Sequence, residues 1–474
     1  MPAGGQERAP GGRRHPGPVH GDRRTPPGRG APPVGAAPTS VPTALRAEAR
    51  AAFEAAVEAV RPGTVLPAAA RRRGTSLLLG ELELPQVPGR RLVAAIGKAA
   101  PGLAAAWLEI RPDRREELFV LAPHGPVPPE VEAAATVHHG AHPEPDAAGA
   151  AATRELLDRA TGLGRDDLLV VLLSGGGSAL LAAPAPGLEL ADIRRTTRLL
   201  LCAGAPIGAL NTVRRELLAA AGGGLARAAA PAVVRTAILS DVIGNPLPDI
   251  ASGPTVPSPT GPEEALEVLE SHGVLERVPP RVIRFLRSPV PRRPDRKWER
   301  CQAVILADNR TAVEAAQCHL AGGGFRVIVP ARPLAGEASS RGRQLGALAR
   351  VLAPRHPTAV VLGGETTVTV TGDGRGGRNQ ELALAAALAL DGAAGRVLLA
   401  AGTDGIDGPT ENAGAVVDGG TVARIAAQGL DPVARLARND AATALEAAGD
   451  SLRTGPTGTN VGDLTMLLVA PSSA

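Results

Sequence analysis

Short apolar segments that alternate with helical patterns are the feature of this sequence that most constrains its fold. In the first half of the chain these segments are RLVAAIG, ELFVLAP, DDLLVVLLSGG and AVVRTAILSD. Apolar runs without polar alternation, separated by helices, are typical of parallel strands that are buried on both faces of a sheet. The sequence therefore predicts an α/β fold in which residues 43–286 form a doubly wound, Rossmann-like domain with a parallel sheet.

The rest of the chain divides into three further segments. Residues 1–42 are rich in Arg, Pro and Gly, so we expect a disordered tail, with a targeting segment or a misassigned start as alternatives. Residues 287–300 are rich in Pro and charge and are predicted to form a linker. Residues 301–474 again alternate strands and helices and are predicted to form a second α/β domain. Glycine-rich loops follow strands in both domains, so we expect the active site in the cleft between them.

Composition argues against several classes of function. The net charge is only +4, and the chain has four Phe, two Trp and no Tyr, so a nucleic-acid partner is not expected. No uninterrupted apolar run reaches the length of a membrane span, so no membrane segment is expected. The three cysteines have no metal-binding spacing and indicate a reducing compartment, which predicts a cytoplasmic location.

A glycine-rich loop follows the most apolar segment of the chain. The stretch LLVVLLSGGGSALL leads from a buried strand through Ser174, Gly175, Gly176, Gly177 and Ser178 into a helix. Backbone N–H groups in such a loop, together with the start of the helix, can bind a phosphate or a carboxylate. The alternative is a tight turn that needs glycine only for packing. The stretch matches neither the GxGxxG fingerprint nor the P-loop, which argues against ordinary dinucleotide-binding dehydrogenases and P-loop kinases.

Polar residues also occur at the ends of other elements in the first domain. Asp241 ends a buried strand, where a carboxylate can bind Mg²⁺ or a hydroxyl group, or can cap the next helix. Asn211 and Arg214 lie near the start of a helix in LNTVRREL. A solvent-exposed helix face explains this last pair as well as a binding role does.

The second domain contains two loops with similar features. Arg378 and Asn379 open a helix after a glycine loop, with Glu381 in the first turn, and a guanidinium there can bind a phosphate through paired donors. Asp404 and Asp407 follow another buried strand with DGxDG spacing. That spacing indicates either a metal or ribose site or a loop built on Asx turns.

Asparagine and lysine are rare in this chain, so their positions carry information. Five of the seven asparagines lie in the segments singled out for their motifs, and one of them, Asn460, belongs to the polar glycine loop TGPTGTNVGDL. Such positions favour a side-chain amide or a left-handed backbone. Lys98 is one of two lysines among 51 basic residues, which raises the question of why an ammonium is kept there.

Taken together, these segments resemble the type II glycerate kinases, the ATP-dependent glycerate 2-kinases with a C-terminal MOFRL domain. The resemblance runs from about residue 43 to residue 472. It rests on eight ordered blocks, which are IGKA, HPEPD, LSGGGSALL, LNTVRREL, LSDVIGNPLPDIASGPTVP, GGRNQELAL, GTDGIDGPTENAGAVVD and TGPTGTNVGDL. The RREL portion departs from the family, because bacterial members usually carry a His-Leu pair in that helix.

The resemblance implies transfer of a phosphoryl group from ATP to the 2-hydroxyl of D-glycerate, with Mg²⁺ as cofactor. It implies that Lys98 and Arg378 are catalytic, that Asp241 and Asp404 are the candidate metal ligands, and that the other residues singled out bind glycerate or nucleotide. An ammonium on a flexible stem can follow phosphate oxygens and, unlike a guanidinium, can act as a base when its pKa is lowered.

Two other functions stay open at this point. One is reduction of hydroxypyruvate or tartronate semialdehyde, although the dinucleotide-binding glycines are missing. The other is a binding protein without catalysis, which would be expected to lack the charged motif residues. The partners implied are small-molecule substrates, and the oligomeric state, with a homodimer as one option, is left undecided.

Overall fold

The described part of the chain is organised by three β-sheets, with three, six and seven strands. The structure is a computed structural model that describes residues 41–110, 116–288 and 298–471. The two larger sheets form the framework on which the predicted site residues lie.

Two predicted segments lie mostly outside the described residues. The tail predicted for residues 1–42 does so except for its last two residues, which begin the first helix. Residues 289–297 of the linker predicted at 287–300 also lie outside. The chain from Ser40 onward forms one compact unit, so its division into two domains stays a prediction.

The helices and strands follow one another along the whole described chain. The helices are α1 (Val41–Ala59), α2 (Pro62–Ala69), α3 (Ala100–Ile110), α4 (Pro129–Ala134), α5 (Ala147–Thr161), α6 (Gly177–Leu180), α7 (Leu190–Cys202), α8 (Ile207–Leu217), α9 (Gly224–Ala228), α10 (Pro262–Ser271), α11 (Pro280–Leu286), α12 (Asn309–Gly322), α13 (Ala338–Val351), α14 (Arg378–Leu390), α15 (Thr421–Ala427), α16 (Pro432–Ala437) and α17 (Ala441–Ala447). The strands are β1 (Ala70–Arg73), β2 (Ser76–Leu79), β3 (Leu82–Leu84), β4 (Arg91–Ile96), β5 (Glu116–Pro123), β6 (Ala135–Gly140), β7 (Leu168–Leu173), β8 (Val233–Leu239), β9 (Cys301–Ala307), β10 (Arg326–Ile328), β11 (Leu334–Glu337), β12 (Thr358–Thr367), β13 (Arg396–Gly402), β14 (Gly414–Asp418), β15 (Ser451–Leu452) and β16 (Asp463–Val469). Within the described ranges, none of the helices has the length and apolar character needed to cross a membrane.

The six-stranded sheet is parallel throughout and has the strand order β6–β5–β4–β7–β8–β9. Its central strand β7 has all six residues buried, as its unbroken apolar sequence predicted. Numbered from β4, the spatial order is 3-2-1-4-5-6, which is the order of a doubly wound sheet. The Rossmann-like prediction is therefore confirmed, and the order reverses between β4 and β7.

One strand and one helix belong to different sheets from those that the sequence suggested. Strand β9, in the segment assigned to the second domain, pairs in parallel with β8 and completes the first sheet. Helix α1, in the segment assigned to the first domain, packs on the second sheet, where Arg46 bonds to Asp418 and Asp450. Apolar patterning identifies an element but does not say which sheet it joins, and this accounts for both corrections.

The seven-stranded sheet is mixed. Strands β12, β16, β13, β14 and β15 are antiparallel neighbours, while β10 and β11 each pair in parallel with β12. Helix α14 packs against α13 and against β13 and β14. Helices α1 and α12 pack together, α1 against β13, β14 and β16 and α12 against β10, β12 and β16. The predicted α/β character of this region is confirmed, and the loops after β12 and β13 carry its predicted site residues.

Candidate active site

The centre of the site is the point where the order of the parallel sheet reverses. The loops after β4 and β7 leave adjacent carboxyl ends there, the usual position of ligands in doubly wound sheets. The backbone N–H of Lys98 donates to the carbonyl of Gly175 at 2.8 Å, and the N–H of Ala99 donates to Ser174 Oγ at 3.0 Å. Gly97 has φ +118°, and a Cβ on it would lie 2.3 Å from Ser174 Oγ. Only glycine allows the two loops to approach this closely.

The side chain of Lys98 extends from this junction to the loop after β13 of the seven-stranded sheet. Its Nζ lies 2.8 Å from Oδ2 of Asp404, and both side chains are half-buried. The other carboxylate oxygen of Asp404 accepts the backbone N–H of Ile406 at 3.1 Å, which fixes its orientation. Two residues singled out from separate motifs, 306 positions apart, are therefore in direct contact.

The glycine loop lies against two more of the predicted residues. A Cβ on Gly175 would be 2.0 Å from Oδ2 of Asp241 and 2.8 Å from Nδ2 of Asn460. The amide of Asn460 donates to Asp241 at 3.0 Å. Burial raises the pKa of Asp241 to about 6, although the charge of the Lys98 ammonium acts to lower it. The structure thus brings Lys98, Gly175, Asp241, Asp404 and Asn460 together.

The rest of the glycine loop differs in part from what the sequence suggested. Ser174 is buried, and its hydroxyl accepts the Ala99 N–H, so this side chain holds the two loops together. Ser178 Oγ bonds to Ser252 Oγ at 2.9 Å. The helix after the loop, α6, has only four residues starting at Gly177. Anion binding here would therefore depend on the loop N–H groups and on Lys98 more than on a helix terminus, and it stays a prediction.

Arg378 is held by carboxylates rather than by the glycine loop before it. Its Nε and one terminal nitrogen donate to Asp463 at 2.5 and 2.9 Å, and its other terminal nitrogen lies 2.8 Å from Glu365. Although burial opposes the charge, Asp463 and Glu365 raise the pKa of this guanidinium. These three contacts leave two N–H groups of the half-buried Arg378 for a ligand.

Three other predicted residues form their hydrogen bonds at or near the start of α14. The buried carboxylate of Asp407 accepts the backbone N–H groups of Asn379 and Gln380 at 3.0 and 2.8 Å, at the start of α14. Burial raises the pKa of Asp407 to about 7 despite these hydrogen bonds, which lower it. Glu381 accepts from Nδ2 of Asn439 at 3.0 Å. For Asp407 and Asn379 this geometry fits the structural alternative, since the carboxylate satisfies free N–H groups at a helix start.

The two candidates on α8 have different surroundings. Asn211 donates to Oδ1 of Asp249 at 3.2 Å, on the side where Arg215 also binds that carboxylate. Arg214 is instead close enough to His142 for its charge to lower the pKa of that ring. The solvent-exposed alternative is therefore wrong for Asn211, which is buried in an internal network.

Sequence reasoning about individual residues did not select His142, Glu365 or Asp463 for the site. A Cβ on Gly176 would lie 3.1 Å from both the ring of His142 and Cγ of Lys98, so these two side chains flank the loop. Glu365 and Asp463 belong to strands β12 and β16 and fix Arg378. Asp241 was selected as a polar residue at the end of a predicted strand. That signal did not apply to His142, which follows the unpredicted strand β6, or to Asp463, which begins β16.

Whether the cluster suits Mg²⁺ can be judged from its donors. Within the residues that the structure describes, no group of three or more His, Cys, Asp or Glu side chains forms a ready-made metal site. Mg²⁺ in kinases is usually held by one or two carboxylates together with substrate phosphates and water. Asp241 and Asp404 each keep lone pairs beyond their bonds to Asn460 and Lys98, so they fit that kind of site.

Two regions of the chain match known protein families. Residues 48–287 match the family model described as "Domain of unknown function (DUF4147)", and residues 358–463 match that of the MOFRL family. A glycerate kinase from Danio rerio is 36% identical, over 91% of this chain and 99% of the relative. A D-glycerate 2-kinase from Thermotoga maritima is 37% identical, over 80% of this chain and 91% of the relative.

The similarity extends to a solved structure. The crystal structure of glycerate kinase from Thermotoga maritima matches with a TM-score of 0.76 and 35% identity, covering 90% of this chain and 99% of that one. One relative, from Agrobacterium vitis, carries the provisional name hydroxypyruvate reductase and is 37% identical over 81% of this chain and 89% of its own length. Since the kinase relatives and the solved structure span both large sheets, the chain belongs to the glycerate 2-kinase family.

Proposed function

We propose that this protein transfers the γ-phosphoryl group of ATP to the 2-hydroxyl of D-glycerate, giving 2-phosphoglycerate and ADP. The main supporting observation is the position of Lys98. Its ammonium lies where the strand order of the parallel sheet reverses, between the glycine loop and the carboxylate of Asp404. The kinase names of the relatives support the same reaction.

The reaction needs positive charge near the phosphoryl group more than it needs covalent help. The glycerate oxygen bonds to the γ-phosphorus, the bond from that phosphorus to the bridging oxygen breaks, and ADP leaves with the electron pair. Lys98 can exchange its contact with Asp404 for a phosphate oxygen. Arg378, oriented by Asp463 and Glu365, can donate its two remaining N–H groups to another phosphate oxygen.

The hydroxyl proton of glycerate needs an acceptor. Asp241 is next to the glycine loop, and with a pKa of about 6 it is mostly ionised at neutral pH. Its carboxylate can accept this proton, or can bind Mg²⁺ or the hydroxyl group, the two functional roles that the sequence left open. Mg²⁺, held by Asp241 and Asp404 with the phosphates of ATP, would supply charge neutralisation when bound.

The reductase alternative predicts a different geometry at the switch point. A dinucleotide pyrophosphate binds there over a glycine fingerprint and the start of a helix. In this chain the loop after β4 carries Lys98, whose side chain crosses to Asp404. This arrangement favours phosphate chemistry over dinucleotide binding.

Product analysis tests the proposal. Purified protein incubated with D-glycerate and MgATP should form 2-phosphoglycerate and equimolar ADP, followed by phosphorus NMR. A parallel reaction with hydroxypyruvate and NADH should show no change in absorbance. Exclusive formation of 3-phosphoglycerate, or oxidation of NADH without ADP formation, would contradict the proposal.

A further inference from the structure

Two neighbouring arginines on α8 differ in whether their charge is balanced. Arg215 is buried and binds Asp249 through Nη1 at 2.8 Å and Thr212 Oγ1 through Nη2 at 3.3 Å. The guanidinium of Arg214 has neither a hydrogen bond nor an ion pair with any residue that the structure describes, and its Nε is buried without a partner. Burial alone lowers the pKa of Arg214, with no carboxylate to oppose that effect.

A partly buried guanidinium without a partner, such as that of Arg214, is unfavourable, because desolvation of the charge is not offset. Arg215, which is buried, and Arg46, which is half-buried, each have such a carboxylate partner. The missing partner of Arg214 is therefore expected to be an anion from outside the chain.

The location of Arg214 limits which anion this is. Arg214 and Lys98 both lower the pKa of His142, after the larger effect of the partial burial of that ring, and together these effects bring it to about 4. The His142 ring and Lys98 Cγ flank the same glycine, Gly176. His142 and Lys98 are thus adjacent at the glycine loop, and Arg214 is close enough to act on His142 through its charge, while His142 is neutral at physiological pH.

We propose that Arg214, assisted by His142, binds the carboxylate of a 2-hydroxy acid and thereby selects the adjacent hydroxyl for phosphorylation. This inference rests on the proposed function. In glycerate the carbon that bears the 2-hydroxyl is bonded directly to the carboxylate carbon, whereas the 3-hydroxyl is one carbon further away. A guanidinium that holds the carboxylate with two parallel N–H groups fixes this distance, and His142 contributes one neutral ring N–H.

The same guanidinium could instead bind a phosphate of the nucleotide. Kinetics separates the two ligands, because a carboxylate partner affects the KM for glycerate and a phosphate partner affects the KM for ATP. Stability separates both from a structural role, because removal of an unbalanced buried charge should not lower the melting temperature.

The experiment compares Arg214→Gln and Arg214→Lys with the control Arg198→Gln. Arg198 is an exposed arginine of α7 that pairs with Glu144, so the control also removes one positive charge near this region. We expect Arg214→Gln to raise the KM for D-glycerate by about 10- to 100-fold, the loss expected for a charged hydrogen bond. Its KM for ATP should stay within about threefold and its melting temperature should equal or exceed that of the wild type. Arg214→Lys should recover part of the loss, and the control should behave as wild type.

Two further measurements make the test specific. Arg214→Gln should form detectable 3-phosphoglycerate by phosphorus NMR, because the hydroxyl is no longer selected through the carboxylate. His142→Gln should raise the KM for D-glycerate by a few-fold, as for a neutral hydrogen bond. An unchanged KM for glycerate in Arg214→Gln, a raised KM for ATP alone, or a lowered melting temperature with normal kinetics would each overturn the inference.

Calorimetry distinguishes failure of this inference from failure of the proposed function. Wild-type protein should bind D-glycerate, should bind glycerol at least about tenfold more weakly, and should lose this preference in Arg214→Gln. If the wild type shows the preference but forms no phosphorylated product, the carboxylate site stands and the proposed function fails. If it phosphorylates glycerate without the preference, the proposed function stands and the carboxylate site fails.

Discussion

Substitution of Gly175 by alanine tests whether the glycine loop is needed for space at the site. A Cβ at this position would lie 2.0 Å from Oδ2 and 2.5 Å from Cγ of Asp241. Ordinary contact begins near 3.4 Å, so the carboxylate or the loop must move by about 1.4 Å. The amide Nδ2 of Asn460, which donates to Asp241, would also lie only 2.8 Å from the new carbon. Rotation of the carboxylate towards Asn460 therefore cannot relieve the contact.

A displacement of this size affects turnover more than folding. Misplacement of a reacting group by about 1 Å can cost on the order of 10²-fold in rate, so we expect Gly175→Ala to lower kcat by at least about 100-fold. The backbone at Gly175 does not have a positive φ, so alanine introduces no conformational strain of its own. The effect should therefore come from the contact with Asp241.

The assay is steady-state kinetics with D-glycerate and MgATP, together with thermal denaturation. Gly63→Ala is the matched control, because a Cβ there meets nothing within 4 Å and it lies in helix α2. The control should keep wild-type kcat and melt at the same or a slightly higher temperature. A Gly175→Ala protein with wild-type kcat would refute the assignment of the glycine loop and Asp241 to one site.

Two other predictions follow from contacts described above. Lys98→Ala should lower kcat by roughly 10²–10⁴-fold, and Lys98→Arg should still lose at least about tenfold because a guanidinium differs in size and reach; near-normal kcat in Lys98→Arg would show that the ammonium is not required. Arg46→Ala should lower the free energy of unfolding by about 3 kcal/mol, since it leaves the buried Asp418 and Asp450 with one cation fewer, while KM values stay unchanged. Thermal denaturation checks the second prediction against Arg310→Ala, which removes an exposed ion pair to Glu314 and should have no measurable effect; equal melting temperatures for the two variants would contradict it.

The sequence predicted those parts of the fold that depend on local pattern. Unbroken apolar runs such as β7 identified a parallel sheet buried on both faces, and the loop after β7 was found because packing alone rarely requires three consecutive glycines. Lys98 was selected because lysine is so rare in this chain. Each of these signals lies within a few consecutive residues or in the composition itself.

The features that could not be predicted depend on contacts between distant segments. The pairing of Lys98 with Asp404 joins residues 306 positions apart, and no local pattern encodes it. Arg214 and Arg215 are adjacent and chemically identical. Only the packing of α8 determines that Arg215, and not Arg214, binds Asp249. For the same reason, the DGxDG spacing could not show that Asp407 points into the start of α14.

The packing of α1 on the second sheet affects how the chain folds during synthesis. Arg46 leaves the ribosome early, but Asp418 and Asp450 follow it 372 and 404 residues later. At about 5–20 residues per second, the wait for Asp418 alone is about 20–75 seconds. During that time the buried residues of α1, including Phe53 and Val57, lack the strands that cover them in the finished protein. Translation speed and chaperone supply should therefore influence the yield of folded protein more strongly than its final stability suggests.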